Sequence, residues 1–132
     1  STIIQGSDAM PWELKPDRPI YAQLIEQLER KICSGAYPLG TRLPSVRDLA
    51  QEASVNPNTM QRALARLEED GLLYTNRTSG RFVTEDIGRI RQTKNKLAQE
   101  QVQEFLKKMT DLGFQQKEIR TILISITEEL KK

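Results

Sequence analysis

The stretch "SVRDLAQEASVNPNTMQRALARLEEDGLLY", residues 45–74, carries two helical patterns separated by a short interruption. Asn56, Pro57 and Asn58 are turn formers. Three residues are too few for a domain linker but suit a tight corner between two packed helices. Before the corner, Val46, Leu49, Ala50 and Ala53 recur at helical spacing and predict one buried face. Ser45 is placed to cap that helix, with Asp48 three residues on to reciprocate. After the corner, Asn56 suits an N-cap and Pro57 the first helical position, where a missing N–H costs nothing. Met60, Ala63, Leu64 and Leu67 form the buried stripe of that helix, which is expected to run to about Asp70 and stop at Gly71. Arg47, Asn58, Thr59, Gln61, Arg62 and Arg66 are left on other faces.

Working outward, "PDRPIYAQLIEQLERKICSGAYPLG" places Ile20, Leu24, Ile25, Leu28 and Ile32 on one face of an earlier helix that ends before Gly35. Tyr21 and Tyr37 read as packing residues. On the other side, "LLYT" and "RFVT" are short β-favouring runs joined by the five-residue loop "NRTSG". Helix, helix, tight corner, helix and hairpin is the order of a winged helix-turn-helix, in which the last helix offers its N-terminal turn to a DNA major groove. The expected fold is therefore mainly α with a small β-hairpin.

The remainder, Ile87–Lys132, predicts two more helices. Ala98, Val102, Phe105, Met109 and Leu112 alternate by four and three, a coiled-coil-like seam. Gly113 breaks it, and Ile119, Ile122, Leu123, Ile126 and Leu130 follow on a last helix. Two such helices cannot bury these stripes alone. They must cover the winged domain or meet a second copy, and the latter makes residues 87–132 a dimerisation segment. About 46 residues are too few for an enclosed pocket of ordinary ligand size.

The chain has 132 residues, 37% of them hydrophobic and 29% charged, a balance that fits a globular protein. It has no histidine and one cysteine, Cys33. That removes histidine acid–base chemistry, a Cys–His nucleophile and ordinary zinc sites, and no Gly-rich phosphate-binding fingerprint appears. No enzyme, metal or cofactor is expected. The lone cysteine and the lack of a membrane-spanning run or signal peptide point to the cytoplasm. Residues 1–11 read as a leader before the folded part, with Met10 a candidate initiator. The net charge of +2 is unevenly spread. Between Leu72 and Lys96, six bases face only Glu85 and Asp86, a local +4. Beside a nucleic-acid-reading element such an excess gains meaning.

The run "RLPSVRDLAQEASVNPNTMQRALARLEEDGLLYTNRTSGRFV" resembles the DNA-binding domain of the GntR family of bacterial transcription regulators. The likeness rests on "LPSVRDLA", on "LEEDGLL" and on the Gly80, Phe82 and Val83 return of the wing, and it covers residues 18–86. The "VNPNT" corner and the short tail are similar to the YtrA-type subfamily. The resemblance implies a homodimeric regulator, a repressor, on a near-palindromic operator, with control of a neighbouring transporter operon. It implies DNA contacts from Ser45 and Arg47 around the start of the second helix. Asn56, Asn58, Thr59, Gln61 and Arg62 would contribute from the third, and Arg77, Thr78, Ser79 and Gly80 from the wing tip.

Several family members carry arginine where this chain has Pro57 and Gln61, so their guanine-reading contacts do not carry over. Asn58 and Gln61 have the chemistry to pair with adenine or to serve phosphates. Arg62 suits a phosphate or a same-helix partner, Glu68 or Glu69. The wing has Thr78 where a second glycine is usual. The rival from another class is a winged-helix module that binds protein rather than DNA. The effector and the operator sequence are not legible.

Overall fold

A computed structural model describes residues 11–131, so the leader expected over residues 1–11 lies outside the described residues except for Pro11. The described helices are α1 (Ile20–Cys33), α2 (Val46–Ala53), α3 (Pro57–Glu69), α4 (Ile87–Asp111) and α5 (Gln116–Glu129). The hairpin strands β1 (Leu73–Asn76) and β2 (Gly80–Val83) lie between α3 and α4. The chain divides into two compact units, one ending at Lys94 and the other beginning at Asn95.

In the first unit α1 and α2 both pack on α3. Leu24, Leu28 and Ile32 of α1 meet Leu49, Ala50 and Ala53 of α2 and Met60, Ala63, Leu64 and Leu67 of α3 in one core, closed by Leu72, Leu73 and Val83. The corner is made without glycine. Ser54 takes the left-handed conformation (φ 57°), and its N–H and that of Val55 bond back to Gln51 and Ala50 carbonyls. Asn56 then starts α3, its side chain accepting from the Asn58 N–H at 2.8 Å.

The hairpin pairs Leu73 with Val83, Tyr74 with Phe82, Thr75 with Arg81 and Asn76 with Gly80. It is shifted toward the tip by one residue from the expected runs. The Leu72 N–H is spent on the end of α3, bonding the Leu67 carbonyl, and Leu72 accepts from Thr84. A third segment lies along β2. The Gly40 and Leu43 N–H groups donate to Val83 and Arg81 carbonyls, and the Val83 N–H donates to Thr41.

A feature with no periodic signature precedes α1. Gln23 and Gln27 of α1 each pair side-chain amide to backbone, Gln23 with both polar groups of Lys15 and Gln27 with both of Glu13. This seats Trp12 and Leu14 against the core. The buried Lys31 ammonium stands 4.8 Å from the Trp12 ring centre and 5.8 Å from that of Tyr37. Burial lowers the Lys31 pKa, with Glu52 acting against the fall. Burial, then Glu52, pushes the Tyr37 hydroxyl up to about 12.

The second unit is different. Its buried apolar side chains are Leu97 and Ile119, among the described residues. Val102, Phe105, Leu112, Leu123, Ile124, Ile126 and Leu130 are exposed. Ile119, expected on a stripe facing a partner, is buried within its own chain, and Leu97 rather than the exposed Ala98 begins the buried row. Ile119 lies just past the turn at Gly113 (φ 100°), one helical turn after Gln115, whose carbonyl accepts its N–H. Met109 and Ile122 are half-buried.

Candidate nucleic-acid interface

Three elements of the first unit supply the candidate side chains. At the start of α2 the Ser45 hydroxyl accepts from the Asp48 N–H at 3.1 Å, which leaves its own O–H free to donate. Arg47, in the first turn, is exposed and makes no ion pair among the described residues. At the start of α3, Asn58 and Gln61 are exposed and Thr59 is half-exposed. Asn56 is also exposed, but its side-chain oxygen is committed to the cap, so only its amide N–H groups remain to offer.

The wing tip closes on one glycine. Asn76 accepts from both the N–H and the hydroxyl of Thr78, at 3.1 and 3.0 Å, and its carbonyl accepts from the Ser79 N–H. Gly80 alone supplies the left-handed backbone there, at φ 106°. The Asn76 side chain thus does the work expected of a second glycine, and Arg77 and Thr78 are exposed around it, with Ser79 half-exposed.

Arg62 takes neither same-helix partner that spacing suggests. Its guanidinium lies 4.6 Å from the Tyr21 ring centre on α1, a cation–π contact that steadies it at the edge of the surface. Glu68 is engaged elsewhere. Its carboxylate accepts from the Thr75 hydroxyl and from Nε of Arg81, the cross-strand pair at the base of the wing. Arg81 also donates to the Gln61 side-chain oxygen at 3.3 Å. Burial pushes the Glu68 carboxyl up, but the hydrogen bonds from Thr75 and Arg81 and the guanidinium charge outweigh it, and its pKa falls below the ordinary value. A third basic side chain joins Arg77 and Arg81 at the wing. Arg42 Nε approaches Gly80 so closely that a Cβ there would meet it at 3.1 Å.

The local +4 is therefore divided. Arg77 and Arg81 belong to the wing, but Arg89 lies against Gly71, where a Cβ would meet its Nε at 3.1 Å. Gly71 follows the C-terminal end of α3, about 20 Å along a 13-residue helix from Asn58 and Thr59. Sequence reasoning missed Arg42, Glu68 and Arg81. Their roles depend on pairings across the hairpin that no helical period signals.

A capped helix with a bare polar first turn, set by a tight corner against a second helix and flanked by a hairpin, defines a winged helix-turn-helix DNA-binding protein. The model of the bacterial regulatory proteins of the gntR family matches residues 20–83. The chain is 33% identical over 116 residues to the HTH-type transcriptional regulator YhcF of Bacillus subtilis, covering 88% of this chain and 96% of that one. It is 40% identical over 68 residues to the HTH-type transcriptional repressor YtrA of the same organism, covering 52% of each. Among solved structures, a GntR family transcriptional regulator from Listeria monocytogenes superposes with a TM-score of 0.76 at 38% identity, over 85% of this chain and 98% of that one. The chain belongs to the GntR family and is a DNA-binding transcription regulator. No helix among the described residues is long and apolar enough to cross a membrane.

Proposed function

We propose that this protein is a cytoplasmic repressor that binds a near-palindromic operator as a homodimer, one α3 helix to each half-site. The observation that carries the reading is the exposed polar first turn of α3 beside the wing, with Arg47, Asn58, Thr59, Gln61 and Arg77 unburied on the side chains' outer faces. Arg47, Ser45 and the wing tip at Arg77, Thr78, Ser79 and Gly80 serve phosphates and the minor groove. Asn58, Thr59 and Gln61 serve the major groove. Arg62 and Asn56 frame the surface. Repression is supported by the likeness to YtrA, and the YtrA-type resemblance extends the proposal to an operon encoding a transporter. Homodimerisation is supported by the exposed apolar rows of α4 and α5, Val102, Phe105 and Leu112 on one and Leu123, Ile126 and Leu130 on the other. A single chain leaves these in water.

The test is a genome-wide DNA pull-down with the purified protein, followed by titration of the recovered operator at increasing salt. Binding should weaken steeply between roughly 50 and 200 mM salt, because arginines and lysines displace condensed counterions. Affinity indifferent to salt, or equal for every sequence, overturns the reading in favour of a protein-binding module.

A further inference from the structure

We propose that Glu68 is a positioning residue for operator recognition: through Arg81 it fixes the Gln61 amide so that Gln61 presents hydrogen-bond donors to the groove. The inference rests on the DNA-binding reading above. Gln61 and Glu68 are seven residues apart, two turns along one face of α3, and that face meets the wing. Arg81 of β2 bridges them, with Nε on the Glu68 carboxylate and Nη1 on the Gln61 oxygen at 3.3 Å. The clamp is shielded: the Arg81 side chain is 18% exposed and that of Glu68 30%. Thr75, opposite Arg81 in the hairpin, donates to the same carboxylate oxygen and completes it.

The chemistry decides which end of the Gln61 amide faces outward. A guanidinium has five donors and no acceptor, so the Gln61 atom that meets it is the oxygen. The amide nitrogen is then the end left for solvent or DNA. Pairing with adenine in the major groove needs both ends of the amide aimed at one base, the oxygen at N6 and the nitrogen at N7. Arg81 draws the oxygen toward the wing, away from that geometry. Gln61 is left as a donor that can reach guanine O6 or N7, thymine O4 or adenine N7 singly, without the second bond of the adenine pair. Glu68 never touches DNA in this account. It holds Arg81 in place, and without its carboxylate the guanidinium is free to turn to phosphate and the Gln61 amide to rotate.

The experiment is a double-mutant cycle read on base discrimination. Wild type, Glu68→Gln, Gln61→Ala and the double variant are titrated at fixed salt against the recovered operator and its full set of single-base replacements. Unrelated DNA and thermal melting serve as controls. At one base pair of each half-site, Glu68→Gln should change the discrimination of the Gln61-containing protein by about tenfold, in favour of adenine. In the Gln61→Ala background the same substitution should change discrimination at that position by less than twofold. Affinity for unrelated DNA should hold or rise, since a negative charge is removed. Unaltered base preference in Glu68→Gln, or an equal change in both backgrounds, overturns the role of Glu68 while leaving DNA recognition intact. A parallel loss for all sequences that tracks a lowered melting temperature makes Glu68 merely structural and also overturns it. Wild-type protein that discriminates no base pair overturns the DNA reading itself.

Discussion

The two units of this chain carry apolar stripes of equal regularity and treat them in opposite ways. In the first, the stripes of α1, α2 and α3 close on one another, and Leu24, Leu28, Leu49, Met60 and Leu67 are wholly buried. In the second, Leu112 and Leu130 are 72% and 79% exposed at the same helical spacing. Periodicity therefore locates a face and leaves its partner open. What separates the cases is enclosure. Three helices with a hairpin can surround a core, whereas in the second unit Leu97 and Ile119 are the buried apolar side chains among the described residues, with Met109 and Ile122 half-buried.

The strongest way to break that contrast is to remove the second unit. A chain ended at Lys94 should fold, sediment as a monomer and bind operator roughly 10²–10⁴-fold more weakly, because the second half-site is no longer tethered. Sedimentation and operator titration check the two halves. A full-length protein that is monomeric at micromolar concentration would mean that the exposed stripes have no second copy to meet. Ending the chain at Asp86 instead also removes Ile90, which packs on the core, and should cost the winged unit about 1–3 kcal/mol.

Next in size are paired truncations of the same chemistry in the two units. Leu64→Ala or Leu67→Ala should destabilise the fold by about 2–5 kcal/mol in denaturant unfolding. Ile126→Ala and Leu130→Ala should leave stability of the dilute chain within about 0.5 kcal/mol, yet weaken self-association. Equal destabilisation in both sets would show the second unit to be as enclosed as the first. Within the winged unit, Arg47→Ala and Thr59→Ala should each reduce operator affinity by about 1–3 kcal/mol with unchanged melting. Normal affinity in both would move the docking surface elsewhere.

The smallest effect concerns pH. The Glu68 pKa is depressed on folding, so its contribution to stability is present above the ordinary glutamate range and is lost as pH falls through the folded value. A melting curve of wild type should therefore drop slightly more between neutral and acid pH than that of Glu68→Gln. Identical profiles would show that the wing clamp adds no stability.

How much was legible follows from which signals are local. The corner at Asn56 and Pro57, the Ser45 and Asn56 caps and the stripe Met60–Leu67 are written within a few residues of one another, and the helices follow them closely. The hairpin was legible to within a residue. The docking of Trp12–Lys15 on Gln23 and Gln27 was not, because one polar side chain bonding a backbone leaves no period. The same holds for the alignment of Gly40–Leu43 with β2, and for Arg81 and Glu68, thirteen residues apart and joined only when the hairpin folds back on α3. Of the candidate site, the exposed polar positions could be enumerated from the pattern, but not the hydrogen bond from Arg81 that commits Gln61 or the cation–π contact with Tyr21 that commits Arg62.

The Arg81 bridge has a consequence for anyone who would retarget this protein by transplanting a foreign reading helix. A graft confined to the first turns of α3 keeps Glu68 and Arg81 but discards Gln61, and one that spans all of α3 strips Arg81 of both companions, leaving its guanidinium free to turn to phosphate. Helix and wing are thus heritable as one cassette. A working chimera must exchange residues 57–83 together, and positions 61, 68 and 81 are expected to vary in concert as this lineage acquires new targets.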